Sequence, residues 1–248
     1  MTRTLIPCLL LAAACTTNKP APAGPDAPAP TAPAFTAFVH GRLAQADLAA
    51  ARGAHDQVAA GGESAAKAAG DTGHHVFLGT GEPAPVRKDE FLGLDEWGTL
   101  EGARSLYGDP NFQAGFSTLF AEPVAPELYK RRPDWHTWGD LKGPANGQPY
   151  WVMIVKGHLA QESEEANRAA HDAVASGFQA QAEQAGDIAH VPHIGIDDPR
   201  VFFNVDVSVS HEGMLAVITD PQFQQAFGSL FDAPPEVHIY RSTDWKQW

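Results

Sequence analysis

Two pairs of acid–base residues recur at matching positions of two similar stretches of this sequence. His55 and His171 each stand in an Ala-His-Asp triplet within an Ala-rich stretch, and Asp95 and Asp206 each stand in an apolar stretch further along. A carboxylate that accepts a hydrogen bond from an imidazole orients the ring and raises its basicity, as a general base requires. These four residues are the candidate catalytic residues.

Three more polar residues accompany these candidates. His74 and His190 follow the two helical histidines at equal spacing, and Asn204 precedes Asp206 by two residues, on the same face of a strand. We expect these three side chains to contact a ligand. A histidine buried under a helix is also commonly structural and satisfied by one carboxylate or carbonyl. The sequence leaves both interpretations open.

The sequence has eleven histidines, a number that raises the question of a metal site. A zinc or haem site would have to combine His55 and His171 with the histidines near the second strand of each stretch. No HxH or HExxH pattern occurs, and Val191 stands opposite His75. We therefore predict no metal and no cofactor. A Ser–His–Asp hydrolase is not indicated either, because no GxSxG motif is present.

The candidates occur in pairs because the sequence contains a tandem duplication. Gly41-Arg42-Leu43-Ala44-Gln45 matches Gly157-His158-Leu159-Ala160-Gln161, and Asp109-Pro110-Asn111-Phe112-Gln113 matches Asp220-Pro221-Gln222-Phe223-Gln224. The order and spacing of such matches are kept along both copies. The first repeat spans residues 35–138 and the second 150–248, with a linker at 139–149. The first repeat carries an insertion near residues 81–88.

The sequence of each repeat predicts the same order of strands and helices, and the pattern is clearest in the second repeat. The pattern favours strands near 150–155, 189–195, 201–207 and 236–240, a long helix over 161–184, and short helices at 211–219 and from Asp220-Pro221. The order β-α-β-β-α-β is that of the ferredoxin-like unit. One such sheet leaves a bare face, so we predict an α+β fold in which both units close into a single-chain, pseudo-dimeric α+β barrel. The chain is then expected to be a monomer.

Tryptophans recur near the end of each repeat. Trp135 and Trp138 match Trp245 and Trp248. We expect them to seal the core or to form contacts between the repeats, in preference to a platform for substrate.

The second repeat carries a run that resembles a known superfamily. It extends from Asp220-Pro221-Gln222-Phe223-Gln224 through Phe227, Leu230-Phe231 and Pro234-Pro235-Glu236-Val237 to Asp244-Trp245. This run is similar to the dimeric α+β barrel superfamily, in its antibiotic-biosynthesis-monooxygenase-like branch, and the first repeat has it in weaker form. The resemblance implies that the space between helix and sheet can open into a ligand pocket. The superfamily includes cofactor-free oxygenases, haem-handling enzymes and isomerases, so the resemblance implies no catalytic set.

The N-terminal residues predict export and attachment to lipid. Arg3, the apolar run 5–11 and the alanines 12–14 lead to Cys15, which resembles a bacterial lipobox and predicts a signal peptide at 1–15 with Cys15 lipidated. Thr16 implies, by resemblance to Gram-negative lipoproteins, sorting to the outer membrane. Residues 16–34 are rich in Pro and Ala and predict an extended tether. The lipid bilayer is thus an expected partner.

Charge and cysteine usage exclude several classes. The net charge is −13, from 17 Lys+Arg and 30 Asp+Glu, which argues against binding to nucleic acid. Cys8 and Cys15 are the two cysteines, so residues 16–248 cannot form a disulfide within themselves or a cysteine-rich zinc site.

Two functions of different kinds remain. The first is an exported, cofactor-independent, monooxygenase-like protein that binds or transforms a small apolar molecule. The second is a non-catalytic envelope lipoprotein with a structural or partner-binding role. An enclosed cavity that contains His55 or His171 would favour the first function, and a filled core at that place would favour the second.

Overall fold

The structure is a computed structural model that describes residues 32–83 and 87–248. The predicted signal peptide, Cys15 and the tether up to residue 31 lie outside the described residues. Within the two described ranges, no helix is both long enough and apolar enough to cross a membrane.

The described residues form eight strands and six α-helices, in the order predicted for two tandem units. The strands are β1 (Phe35–Arg42), β2 (Asp71–Gly79), β3 (Glu90–Trp97), β4 (Glu127–Arg131), β5 (Trp151–His158), β6 (Asp187–Gly195), β7 (Val201–Ser208) and β8 (Glu236–Ser242). The helices are α1 (Leu48–Ala68), α2 (Leu100–Gly108), α3 (Pro110–Phe116), α4 (Glu164–Gln184), α5 (His211–Thr219) and α6 (Pro221–Gly228). A 3-10 turn, Ser117–Leu119, follows α3.

The strands close into one antiparallel barrel in the order β1-β3-β2-β8-β5-β7-β6-β4. The predicted fold class is confirmed. Each repeat contributes four adjacent strands, and the repeats join where β2 pairs with β8 and β4 pairs with β6. A ferredoxin-like sheet has two edge strands with unpaired backbone groups, and the second copy satisfies both edges.

The barrel interior is an apolar core formed by alternate residues of the strands. Its fully buried members include Phe77, Leu92, Phe203, Val205 and Tyr240. Leu141 of the linker is only 1% exposed and packs in the same core. Residues 139–149 were predicted only to connect the repeats, and this segment also contributes a side chain to the barrel core.

The helices cover the outer face of the barrel and enclose one further core in each repeat. Each of these two cores contains side chains from both repeats. Trp245, at the end of the second repeat, packs in the core of the first, and Trp135, at the end of the first repeat, packs in the core of the second. The two C-terminal segments are therefore exchanged between the repeats.

Local sequence determines where the helices begin. The Ser163 side chain accepts a hydrogen bond from Ala166 N, so α4 begins at Glu164, three residues after the predicted start. Asp109 and Asp220 cap α3 and α6 in the same way, each with proline at the first helical position.

The β2–β3 loop, residues 80–89, is longer than the β6–β7 loop, residues 196–200, as the sequence predicted.

Candidate functional site

The two helical histidines lie between a helix and the outer face of the barrel. His55 on α1 and His171 on α4 are only 3% and 2% exposed. Their rings contact the strand residues Phe91 and Phe202, each at 5.6 Å between centroids. The predicted shared face of helix and third strand is therefore present in both repeats.

The predicted direct pairing of helical histidine with strand aspartate is not what the structure contains. In the first repeat, His55 Nε2 lies 3.2 Å from His74 Nε2, and His74 Nδ1 lies 2.5 Å from Asp95 Oδ1. His74 comes between because β2 is the neighbour of β3, with His74 directly opposite Asp95. The predicted residues are all present, and their order is His55, His74, Asp95.

The second repeat has the same arrangement. His171 Nε2 lies 3.0 Å from His190 Nε2, and His190 Nδ1 lies 2.5 Å from Asp206 Oδ1. His190 stands opposite Asp206 in the β6–β7 register. His74 and His190 were predicted as ligand contacts, and each is the central member of its hydrogen-bonded chain.

Each chain continues outwards to a carboxylate at the surface. His55 Nδ1 lies 3.0 Å from Asp56 Oδ1, and His171 Nδ1 lies 3.1 Å from Asp172 Oδ1. The side chains of Asp56 and Asp172 are both 31% exposed. The sequence analysis did not select these two aspartates, although their retention in both Ala-His-Asp triplets was the available signal. An aspartate–histidine–histidine–aspartate chain thus links a buried strand to solvent in each repeat.

The number of protons in each aspartate–histidine–histidine–aspartate chain shows what this arrangement can do. A carboxylate at either end only accepts hydrogen bonds, so the three contacts of the chain need three N–H protons. Two neutral imidazoles carry two protons, one on each ring. One contact therefore lacks its proton while both rings are neutral, and an added proton completes the chain without movement of a heavy atom. The arrangement can act as a proton acceptor.

Burial sets the protonation states at the site. Burial lowers the pKa of His171 to about 4, with a further contribution from His190, and burial lowers the pKa of His55 as well, against the opposing effect of Asp56. Asp71 and Asp187, at the start of β2 and β6, have pKa values raised to about 8 by burial and then by Asp95 and Asp206 respectively. At neutral pH His55 and His171 are therefore uncharged, and Asp71 and Asp187 largely hold their proton.

The two repeats hold the second oxygen of the strand aspartate in different ways. The Tyr107 hydroxyl donates to Asp95 Oδ2, and the Asn204 amide nitrogen donates to Asp206 Oδ2 at 2.8 Å. The residue that corresponds to Asn204 in the first repeat is Gly93, and the residue that corresponds to Tyr107 in the second is Ile218. Each repeat has one donor, on a different element. Sequence reasoning missed Tyr107 because it is not kept in the second repeat.

The exchanged C-terminal segments complete both sites. Trp138 stacks on His190 and Trp248 on His74, at 4.6 and 4.5 Å between ring centroids. The Trp138 indole nitrogen donates to Asp187 Oδ1 at 3.0 Å. These contacts join the two repeats, which is one of the roles predicted for the tryptophans.

The same segments also hold the surface carboxylates. His136 N donates to Asp172 Oδ1 at 2.6 Å, and Lys246 N donates to Asp56 Oδ1 at 2.7 Å. Each chain of aspartates and histidines is therefore positioned by both repeats.

A cavity lies beside each chain, between helix and sheet. The cavity of the first repeat measures about 50 Å³ and is lined by His55, His74 and Asp95 together with apolar side chains, among them Phe91 and Phe112. The cavity of the second repeat measures about 60 Å³, and its walls combine His171, His190, Asn204 and Asp206 with the apolar side chains of Met153, Val174, Phe178 and Phe227. The space next to the helical histidines is thus a small, partly open cavity with mostly apolar walls and a few polar groups.

The remaining strand histidines point to the other side of the sheet. His193 Nε2 contacts Thr36 Oγ1 at 2.8 Å inside the barrel, where burial lowers the His193 pKa to about 3. His75 Nε2 lies 3.3 Å from Glu96 Oε2 on that same inner face. In residues 32–83 and 87–248, no group of three or more His, Cys, Asp or Glu side chains has a geometry that could hold a metal ion.

The similarity of this protein to known proteins is found in its three-dimensional structure. No family model matches the sequence, and no curated protein matches it. A presumed monooxygenase from Fusobacterium nucleatum superimposes with a TM-score of 0.61 at 8% identity, over 87% of this chain and 94% of that one. An anthrone oxidase-like protein gives 0.60 at 16% identity, over 87% and 92%. A presumed monooxygenase from Lactobacillus acidophilus gives 0.55 at 11% identity, over 86% and 95%.

These matches extend over both repeats, and at such low identity they establish the fold alone. The chain has the α+β barrel fold of these monooxygenase-like proteins, with both halves of the barrel supplied by one polypeptide.

Proposed function

We propose that this protein binds a small, largely apolar molecule in its helix–sheet cavities and removes a proton from it, as a cofactor-independent, monooxygenase-like enzyme. The observation that carries the proposal is the buried aspartate–histidine–histidine–aspartate chain at the wall of an apolar cavity, formed twice. His55, His74 and Asp95 serve the first cavity, and His171, His190 and Asp206 serve the second.

The proposed chemistry begins with transfer of a ligand proton to the chain. The neutral imidazoles accept it, the strand aspartate stabilises the resulting positive charge, and the surface aspartate passes a proton on to water. The deprotonated ligand is electron-rich and can react with molecular oxygen. Conversion of a methylene carbon to a carbonyl consumes one O₂ and releases one water, so the ligand itself supplies the electrons and no external reductant is needed.

The second candidate function is a non-catalytic envelope lipoprotein with a structural or partner-binding role. One observation favours it: all four ring nitrogens of His171 and His190 already contact protein groups, at 2.5 to 3.1 Å. A histidine pair with this pattern can serve the core alone.

The test combines a ligand screen with a measurement of oxygen uptake. Small, weakly acidic, apolar molecules are screened by thermal shift on the full chain, and those that raise the Tm are tested with an oxygen electrode. We expect His74→Asn combined with His190→Asn to bind these ligands and to lose oxygen uptake by at least a hundredfold. The control is His158→Asn, because His158 pairs with Asp232 at the surface, away from both cavities.

The outcomes separate the two candidates. Thermal shifts without oxygen uptake in the unmodified protein would favour binding alone. No thermal shift with any ligand would contradict ligand binding in the cavities and favour the structural or partner-binding role. Oxygen uptake that survives in the double variant would exclude the histidine chain from the reaction.

We further propose that the protein is held at the outer membrane of a Gram-negative cell envelope through a lipid on Cys15. Support comes from the small residues before Cys15 and the Pro-rich residues behind it. The test is incorporation of a radiolabelled fatty acid. We expect Cys15→Ala to abolish labelling and Cys8→Ala to keep it, and equal labelling of both variants would contradict the proposal.

A further inference from the structure

A larger groove adjoins the small cavity of the second repeat. It lies between α6, the loop that follows α6, and the outer face of β5 and β8, and its volume is about 500 Å³. Three side chains, those of Met153, Phe223 and Phe227, line both the groove and the cavity. The two spaces therefore meet at these side chains.

The walls of this groove are mostly apolar. The strands contribute Val155 and Val237, and among the described residues of the wall Asp232 is the charged one. Its Oδ2 atom lies 2.6 Å from His158 Nδ1 and 3.4 Å from Arg200 Nη2, so its charge is already compensated. The groove therefore suits an uncharged, apolar ligand.

The sizes of the groove and the cavity restrict the shape of a ligand that uses both. A volume of about 500 Å³ falls within the range of small-molecule sites, roughly 300–1,000 Å³. The cavity, at about 60 Å³, corresponds to the share of about two water molecules in the liquid. It admits the end of an unbranched chain and excludes a ring.

The side chains at the junction suit an alkyl chain. Met153 is 6% exposed, and its unbranched thioether has three rotatable bonds, so it adapts its shape to a neighbouring chain. The rings of Phe223 and Phe227 stack at 5.0 Å between centroids and offer flat apolar surfaces. A chain that passes from the groove to the cavity therefore keeps apolar contacts along this path.

We propose that the ligand of the second site is an uncharged molecule with an unbranched apolar chain. The chain lies in the groove, and a small end group enters the cavity beside His190 and Asp206, which line it. This inference rests on the proposed function, because it assigns a ligand shape to the site at which the proton is removed. The acidic C–H bond then belongs near the end of the chain, where the end group meets the histidines.

Methyl hexyl ketone and cyclooctanone form a matched pair of probes. Both have the same number of carbon atoms and one carbonyl group beside weakly acidic C–H bonds, but one is an open chain and the other a ring. Met153 and Met214 are the methionines of the described residues, and Met153 lines both the groove and the cavity, whereas Met214 lines neither. Titration of the full chain labelled at the methionine methyl carbons, followed by NMR, reports binding through Met153, with Met214 as the internal reference.

A glycine of the groove wall supplies the variant. Gly228 is the last residue of α6, and a Cβ atom added there would have no atom within 4 Å. Gly228→Leu therefore fills part of the groove without a clash at Cβ. Gly177→Leu is the matched control, because Gly177 on α4 also has open space around the added carbon and lines neither the groove nor the cavity.

We expect the unmodified protein to bind methyl hexyl ketone about ten times more tightly than cyclooctanone, the effect of two or more additional buried methylene groups. From methyl ethyl through methyl butyl to methyl hexyl ketone, the affinity should rise about two- to fourfold per methylene group, because the open groove buries each one in part. Gly228→Leu should weaken binding of methyl hexyl ketone about tenfold, and Gly177→Leu should leave it unchanged.

Each other outcome has a distinct meaning. Equal affinity for methyl hexyl ketone and cyclooctanone, or unchanged binding in Gly228→Leu, would overturn this inference and leave the proposed function intact. A doubled mass of the unmodified protein in light scattering, reduced to that of one chain by Gly228→Leu, would overturn it by assigning the groove to contact between two copies. If no ketone shifts Met153 in any variant, the inference fails, and the ligand screen with oxygen uptake decides the proposed function separately.

Discussion

Asp95 and Asp206 occupy equivalent positions and keep the same number of partners, although the partners themselves have changed. Tyr107 on α2 serves Asp95, and Asn204 on β7 serves Asp206. A buried carboxylate oxygen without a donor is strongly unfavourable, so the loss of one donor had to be matched by the gain of the other. The hydrogen bond is retained at this position and the residue type is not.

This account predicts the effect of removing the Tyr107 hydroxyl. Tyr107→Phe leaves Asp95 Oδ2 without its donor and should lower the free energy of unfolding by about 1–3 kcal/mol, measured by urea denaturation. Tyr150→Phe is the control, because the Tyr150 hydroxyl makes no hydrogen bond among the described residues, and it should change stability by less than about 0.5 kcal/mol. Equal effects of the two substitutions would contradict the assigned role of Tyr107.

A second prediction at this scale concerns Asp187 and pH. Burial raises its pKa from 3.8 to about 8, so between these values the folded protein holds a proton that the unfolded chain has released. The stability from this proton is complete below about pH 4 and is lost as the pH rises through about 8. Asn is neutral throughout, so Asp187→Asn should escape the loss.

The measurement is urea denaturation of both proteins at pH 5 and pH 9. We expect the variant to gain on the unmodified protein by up to about 4 kcal/mol over this interval, because about three pH units separate pH 5 from the Asp187 pKa of about 8 and each is worth about 1.4 kcal/mol. Asp197→Asn, at an exposed position, should show no such gain. A constant difference between the two pH values would show that Asp187 is not protonated in the folded state.

At the scale of the helices, the close contact between consecutive helices restricts which residue can stand at two positions. α2 and α5 begin directly against the last turn of the preceding long helix. A Cβ atom on Gly102 would lie 1.9 Å from the Ala69 carbonyl oxygen, and one on Gly213 would lie 1.8 Å from that of Ala185. The glycine at these two matching positions, 102 and 213, therefore has a steric cause.

Substitution at these glycines should separate steric from conformational effects. Gly102→Ala forces the two helices apart and should lower the free energy of unfolding by about 2 kcal/mol or more. Gly53→Ala, in the second turn of α1 with no atom within 4 Å of the added carbon, should raise it by up to about 1 kcal/mol. Thermal denaturation followed by circular dichroism distinguishes the two, and a stabilised Gly102→Ala protein would refute the packing argument.

For the whole molecule, closure of the barrel replaces a dimer partner. The β2–β8 and β4–β6 junctions and the exchanged tryptophans connect the repeats through backbone and side-chain contacts that are independent of the linker. Covalent continuity at residues 139–149 should therefore be dispensable once the protein has folded.

This can be tested with a protease site inserted between Asn146 and Gly147, both of which are exposed. After cleavage the two pieces should stay together and elute as one species with the mass of a single chain in size-exclusion chromatography with light scattering. Denaturant should then release two fragments. Separation under native conditions would contradict the closed barrel, and a doubled mass before cleavage would contradict the predicted monomer.

The sequence alone determined the duplication, the order of the elements and the face on which the acid–base residues lie. Each of these depends on local pattern: repeat spacing, helical and strand periodicity, and capping residues such as Asp220 followed by Pro221. The barrel followed from the same information, because an unpaired ferredoxin-like sheet needs a second one and the chain contains two.

Only the tertiary structure decided how the site residues are connected. That His74 lies between His55 and Asp95 depends on which strand neighbours β3, and that Trp248 covers His74 depends on the exchange of segments between repeats. Strand order and exchanged contacts are long-range properties that no local pattern encodes. The replacement of Asn204 by Tyr107 as the donor, from a different element, is visible only when both side chains are placed beside their aspartates.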